Sequence, residues 1–163
     1  MAQTLVLVRH AKPVSSAPSV ADAERPLTPE GLAAVEESFP ATFALLGDAR
    51  ATARIWSSPA VRAWQTAEAV AEALGRSADE IEEHLTIYAQ DEDAFLEEVA
   101  ACEDAIVIAV GHIPMMEDLV ADLAGFACDF NPGGVAAVEI VRALDEFQPA
   151  RLLWFVQGPK VGA

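Results

Sequence analysis

Thr4-Leu-Val-Leu-Val8 runs directly into Arg9-His10, and Ala105-Ile-Val-Ile-Ala-Val110 runs into Gly111-His112. Neither apolar run alternates with polar residues, the pattern of strands buried on both faces. Such strands need helices on both sides of a sheet, and the chain between them supplies helical patterns. Thr28-Pro29-Glu30-Gly31 reads as a helix start, with Thr28 as N-cap, Pro29 in the first position and an acid in the first turn. Leu32, Val35 and Phe39 follow at helical spacing, and Pro40 predicts an end or kink with a continuation over 41–46.

Ala53-Arg-Ile-Trp-Ser57 reads as a second short strand. Ser58-Pro59 then opens a helix whose apolar face is Ala63, Ala67, Val70, Ala71 and Leu74, with Gly75 as C-cap. Residues 76–83 are polar and acidic and read as a solvated connection, 85–88 as a short strand, and 94–102 as a helix. An amphipathic helix follows Pro114 and stops at Gly125. Pro132-Gly133-Gly134 is a turn, and 135–141 and 152–156 are two closing strands around a polar turn at Asp145-Glu146. Strands alternating with helices predict an α/β three-layer sandwich, its central sheet mostly parallel with helices on both faces.

Composition bounds the function. The 163 residues amount to one domain, read as a single catalytic unit over 1–163, and 53% hydrophobic residues are enough for a real core. Ten Lys and Arg against 26 Asp and Glu give a net charge of −16. A surface that acidic repels phosphate backbones and anionic headgroups, which argues against nucleic-acid and membrane-surface binders. The longest uninterrupted apolar run is too short to cross a bilayer. The N-terminus has no basic region before its strand pattern, so no signal peptide is expected. Cys102 and Cys128 match no metal or disulfide framework and read as buried thiols of a reducing compartment, so the expected location is cytoplasmic. His84, between Glu83 and Leu85, reads as exposed and inert; Trp56, Trp64, Trp154, Met115 and Met116 read as packing residues.

In an open parallel sheet, ligands sit beyond the carboxyl ends of the strands. Arg9 and His10 follow the first strand, Ser57, Ser58 and the helix bearing Arg62 follow the second, and Gly111 and His112 follow the 105–110 strand. Each has an ordinary explanation alone: a surface turn, a capping glycine, a solvated helix arginine. Their coincidence at three strand ends is what counts, in a chain with ten basic residues and three histidines. With Pro59 in the first helical position, Arg62 lies one turn inside the helix, and its side chain tilts back over the helix mouth. Two guanidiniums at a helix N-terminus make a phosphate pocket. A histidine there can attack phosphorus and form a covalent phosphoenzyme. With arginines supplying the positive charge, no metal or other cofactor is required.

At these residues the chain resembles a known family. Leu7-Val8-Arg9-His10-Ala11-Lys12, the stretch from Ser57 through Arg62 to Ala67, and Val110-Gly111-His112 resemble the three motifs of the histidine phosphatase superfamily, in its phosphoglycerate mutase-like branch. Arg25-Pro26-Leu27-Thr28-Pro29-Glu30-Gly31 and the short length are similar to its small phosphohistidine phosphatase (SixA-type) subgroup. The resemblance implies a phosphoglycerate mutase-like fold, with His10 as nucleophile and Arg9, Arg62 and His112 binding the phosphoryl group. Arg25 would line the pocket's edge or serve a structural salt bridge, and Ser58 and Gln65 would shape the motif. Ala11 stands where many relatives have glycine, a change common in the small subgroup. The general-acid glutamate motif of the larger relatives has no counterpart between Gly75 and Ala105, which leaves Asp22, Glu24 and Asp91 as candidates to protonate a leaving group.

That absence tilts the expected chemistry toward N–P bonds. The expected activity is a metal-independent phosphatase acting on phosphohistidine in a signalling or phosphotransfer protein, as a monomer or small homo-oligomer. The alternatives are a small-molecule phosphomonoesterase with the same site, and a non-catalytic phosphate-binding module. A mutase is disfavoured, because the chain is short for a cap that retains a second phosphate.

Overall fold

A computed structural model describes residues 2–141 and 150–161. Six strands form one sheet in the order β3-β2-β4-β1-β5-β6. They are β1 (Ala2–Arg9), β2 (Arg54–Ser57), β3 (Ile81–Glu83), β4 (Ile106–Gly111), β5 (Val135–Val141) and β6 (Arg151–Val156). β1, β2, β3 and β4 are mutually parallel, while β5 runs antiparallel to β1 and to β6. The helices are α1 (Pro29–Ala44), α2 (Val61–Ala73), α3 (Leu85–Tyr88), α4 (Glu92–Ala101) and α5 (Met115–Ala124).

The unbroken apolar strands divide their side chains between two cores. Val6, Val8, Ile108, Val110, Val135 and Ala137 pack with Val35, Phe39 and Phe43 of α1 and Ala63, Ala67 and Val70 of α2. Leu5, Leu7, Val107, Ala109, Ala136 and Val138 pack on the other face with Ile87, Phe95 and Val99 of α3 and α4, and with Met116 and Leu119 of α5. Alternate residues point to opposite faces of a strand, so covering both faces requires an apolar residue at every position. The three-layer α/β architecture is as the sequence predicts.

Several local expectations give way to tertiary context. Thr28 caps α1, its hydroxyl accepting the Gly31 amide at 3.0 Å, but α1 runs through Pro40 without ending. Pro40 and Glu36 are both exposed, while Phe39 and Phe43 are clamped in the core at 1% and 0% exposure. That anchoring offsets the single intrahelical bond the proline cannot make. α2 begins at Val61 with Ala60 as N-cap, so Pro59 lies before the helix and Arg62 is its second residue. The Ser58 hydroxyl accepts the Ala60 amide at 3.2 Å, which holds 58–60 in a turn.

Residues 81–83, read as part of a connection, form edge strand β3 beside β2. Residues 85–88, read as a strand, form the single-turn helix α3, with Leu85 exposed and Ile87 buried. His84 is not exposed: its side chain is 18% accessible, stacks on Trp56 at 3.9 Å and meets Glu98 at 2.8 Å. Trp56 lies in the second core, while Trp64 and Trp154 are half-buried against the first. Cys102 and Cys128 are unbridged and half-buried. The predicted turn at Asp145-Glu146 lies outside the described residues. No helix among the described residues is long and apolar enough to cross a membrane.

Candidate active site

Register brings the candidate residues together. Arg9 and Gly111 are partners in the β1–β4 ladder, and Ser57 and Val110 are partners in the β2–β4 ladder. Two bonds extend these ladders past the strand ends: His10 N–H to the Gly111 carbonyl at 3.0 Å, and Ser58 N–H to the Val110 carbonyl at 3.0 Å. His10, Ser58 and His112 therefore leave the sheet at the same level. The His10 and His112 ring centroids are 5.2 Å apart, edge to face.

Both rings are buried, His10 at 7% and His112 at 5% exposure. The Nδ1 of His10 lies 2.7 Å from the Ala11 carbonyl. A carbonyl only accepts, so the bond fixes the ring proton on Nδ1 and leaves Nε2 with its lone pair. Burial lowers the His10 pKa to about 4; the Ala11 bond opposes this, and the charges of Arg62, Arg9 and Arg25 add to it. The Nε2 of His112 is 2.8 Å from the Ser58 hydroxyl. That hydroxyl accepts the Ala60 amide, and its hydrogen has no acceptor other than His112 Nε2 among the described residues, so the His112 proton resides on Nδ1. Burial, then His10 and Arg62, lower the His112 pKa to about 3. Both imidazoles are neutral at neutral pH.

The cations surround them. Arg9, Arg25 and Arg62 line a cavity of about 460 Å³ with His10 and His112, together with the carboxylate of Asp22. Arg9 donates from Nη1 to the Phe130 carbonyl at 2.6 Å. Arg62, 6% exposed, donates from Nη1 to the Asp22 carbonyl at 2.7 Å and from Nη2 to its carboxylate at 3.0 Å. Arg25 binds the same carboxylate at 2.9 Å, so it both lines the cavity and makes a salt bridge. The Nε–H groups of Arg9 and Arg62 are buried and bond no protein group among the described residues. The guanidiniums of Arg9, Arg25 and Arg62 line the cavity, and a planar fork of donors matches the oxygens of a tetrahedral oxyanion.

Of the candidate acids, Asp22 alone lines the cavity. Its hydrogen bonds from Arg25 and then Arg62 hold its carboxyl below the usual range. It is therefore an anion, unsuited to donating a proton. Glu24 ends an exposed 3₁₀ turn, and Asp91 caps α4 by accepting the Ala94 amide at 3.1 Å. Gln65 accepts the Leu27 amide at 2.7 Å, which ties the 25–28 segment to α2. Met115 and Met116 are core residues.

Three contributors escape a reading of the sequence. The Thr66 hydroxyl, fully buried, accepts the Ala11 amide at 3.0 Å and donates to the Arg62 carbonyl at 2.8 Å. Tyr88 and Gln90 line the cavity from the segment after β3, whose helical turn was hidden in a strand-like sequence. A second groove, of about 550 Å³ beside Trp56, is larger, but its Arg54 is already paired with Glu82 and Asp104. Among the described residues no group of three or more His, Cys, Asp or Glu could hold a metal ion.

Two buried neutral histidines and three arginines thus gather at the carboxyl edge of a mostly parallel α/β sheet. The family model of the histidine phosphatase superfamily (branch 1) matches residues 5–86, half of the chain, and the chain belongs to that superfamily. The matched stretch contains Arg9, His10, Arg25 and Arg62, whereas His112 lies beyond it. Among solved structures, a protein of Agrobacterium tumefaciens provisionally named phosphohistidine phosphatase SixA is 27% identical, with a TM-score of 0.73 over 94% of this chain and 97% of that one. Its provisionally named counterpart in Nakamurella multipartitia is 28% identical, with a TM-score of 0.76 over 97% of each. A protein histidine phosphatase SixA in complex with tungstate shares the fold at 23% identity, with a TM-score of 0.74 over 96% of this chain and 97% of that one. No curated protein matches the chain.

Proposed function

We propose that residues 1–163 form one catalytic domain that hydrolyses phosphohistidine on a protein through a covalent intermediate on His10. The observation carrying this reading is the His10 Nδ1 bond to the Ala11 carbonyl, which leaves a neutral Nε2 lone pair in a pocket of arginines. Arg9, Arg62 and the Nδ1–H of His112 hold the phosphoryl oxygens and stabilise charge as it spreads in the transition state. Nε2 attacks phosphorus in line with the departing group. The positive charge that His10 gains is shared with the Ala11 carbonyl. Water then attacks the phosphohistidine, His10 leaves as neutral imidazole, and inorganic phosphate departs.

Two facts favour an N–P substrate over an ester. Among the described residues the one carboxyl group lining the cavity is held ionised by two arginines, so it offers an alkoxide leaving group no proton. The solved structures at 27% and 28% identity carry a phosphohistidine phosphatase name. The test is phosphate release from a phosphohistidine-bearing protein beside a panel of phosphate monoesters, for wild type and His10→Ala. The expected result is turnover of the protein and an acid-labile, base-stable phosphoenzyme, both lost in the variant. Faster turnover of an ester would move the enzyme to small-molecule metabolism. Retained turnover in His10→Ala would remove the covalent mechanism.

A further inference from the structure

Asp22 has a feature that its bonds to arginine do not explain. A carboxylate offers about four lone-pair positions. Oδ1 receives Nε–H and Nη2–H of Arg25 at 3.2 and 2.9 Å, and Oδ2 receives Nη2–H of Arg62 at 3.0 Å. The fourth position, on Oδ2, is taken by the Tyr88 hydroxyl at 3.3 Å, the longest of the four contacts. Tyr88 is 38% exposed and lines the same cavity as His10. Three donors thus fix the carboxylate in place. The fourth is a rim hydroxyl that can exchange its partner for water at little cost.

An imidazole leaving group has a demand that an alkoxide lacks. When phosphorus sits on one ring nitrogen, the other nitrogen carries the proton that makes the ring a good leaving group. The stabilisation is therefore needed across the ring from phosphorus, at the mouth of the phosphoryl pocket. Resting on the phosphohistidine reading above, we propose that the Asp22 carboxylate accepts a hydrogen bond from the far ring N–H of the departing imidazole, in place of the Tyr88 hydroxyl, and so selects phosphoimidazoles over phosphate esters.

The step balances without a proton donor. The Nε2 lone pair of His10 forms the new P–N bond, and the electron pair of the old P–N bond returns to the departing ring. That ring keeps its far N–H and leaves as neutral imidazole. His10 passes from neutral to cationic, with its Nδ1–H still on the Ala11 carbonyl. The carboxylate never changes protonation, which agrees with the arginine bonds that hold it ionised. An alkoxide has no such N–H to offer and would still require an acid.

The test compares kcat/KM for phosphoimidazole, for N-methyl-N′-phosphoimidazolium, which is cationic but has no far N–H, and for p-nitrophenyl phosphate, each corrected for spontaneous hydrolysis. Wild type is expected to prefer the N–H ring to the N-methyl ring. Asp22→Asn is expected to lower the phosphoimidazole value about tenfold to a hundredfold more than the other two, the worth of a hydrogen bond to a charged group. Equal losses on all three substrates would mean that Asp22 only positions Arg62 and Arg25, and would overturn the assignment. Absence of the N–H preference in wild type would overturn it without reference to any variant's folding. If wild type cleaves the ester but neither phosphoimidazole nor phosphohistidine protein, the phosphohistidine reading itself fails.

Discussion

The hydroxyl of Thr66 accepts the amide of Ala11 at 3.0 Å while donating to the Arg62 carbonyl at 2.8 Å. One buried oxygen thus ties the segment that follows His10 to the helix turn that carries Arg62. Thr66→Val keeps the shape and removes both bonds, leaving the Ala11 N–H without its partner in the core. The expected cost is about 1–3 kcal/mol of stability, read as a lower urea midpoint, together with a fall in kcat as His10 and Arg62 lose their common reference. An unchanged midpoint would mean that Ala11 finds another acceptor.

Arg62 contributes through its charge and through its fork. Arg62→Ala is expected to lower kcat on the order of a hundredfold to a thousandfold, as loss of a preorganised oxyanion donor does. Arg62→Lys keeps the charge but not the paired bonds to Asp22, so it should recover only part of the loss. Wild-type kcat in Arg62→Lys would assign the effect to charge alone, and a kcat equal to that of Arg62→Ala would assign it to the fork alone.

The two buried histidines set the pH response. Their folded values, about 4 for His10 and about 3 for His112, lie below the ordinary 6.5. Between those limits the unfolded chain binds more protons than the native one. Their contribution to stability is therefore constant above about pH 6.5 and is lost as the pH falls below it. The slope approaches about 1.4 kcal/mol per pH unit for each histidine. Urea midpoints at pH 7 and pH 5 should differ more for wild type than for His10→Ala. The His10 ring of the free protein, followed by NMR, should titrate near pH 4, and a midpoint near 6.5 would contradict the burial argument.

Gly111 shows how tightly the site is backed. A methyl group there would collide with the Ile87 side chain and approach the Met116 terminal carbon within 2.6 Å. Ile87 and Met116 are both fully buried. Gly111→Ala should therefore cost about 1–3 kcal/mol by overpacking. It should also lower kcat, because the Gly111 carbonyl receives the His10 amide and the next residue is His112. Loss of stability with full activity would separate the packing from the site.

What the sequence disclosed follows from how much of each signal is local. β1 and β4 were legible because a strand covered on both faces needs an apolar residue at every position. The strand-end rule then picked out Arg9, His10, Ser58, Arg62 and His112 together. β3 was illegible because three residues with one buried side chain, Ile81, carry no period. Residues 85–88 misled because their composition suits a strand, whereas Ile87 is needed against α4 and α5 in the second core. Tyr88 and Gln90 were lost with that segment. Thr66 lies inside the second motif but carried no role of its own, since a buried helix hydroxyl reads like any other until its partners are known. Asp22 was one of three equal acids in the chain, and only the approach of Arg25 and Arg62 in space sets it apart.

The remaining expectation concerns encounter. The chain carries a net charge of −16, yet among the described residues three guanidiniums and one carboxylate line the cavity. A small anionic ester approaching the molecule is repelled by the surface before it meets the pocket. A protein with a basic surface around its phosphohistidine is attracted by that surface, and its phosphoryl group is then captured by the pocket. Salt screens exposed charges over about 10 Å at 0.1 M and about 3 Å at 1 M, so it acts on the surface term more than on the buried pocket. Raising ionic strength should therefore lower kcat/KM for a basic phosphohistidine protein several-fold, through association. The same change should leave kcat/KM for a small ester flat or slightly raised. A protein substrate insensitive to salt would mean that docking proceeds through apolar contacts at the rim, and that the acidic surface serves another purpose.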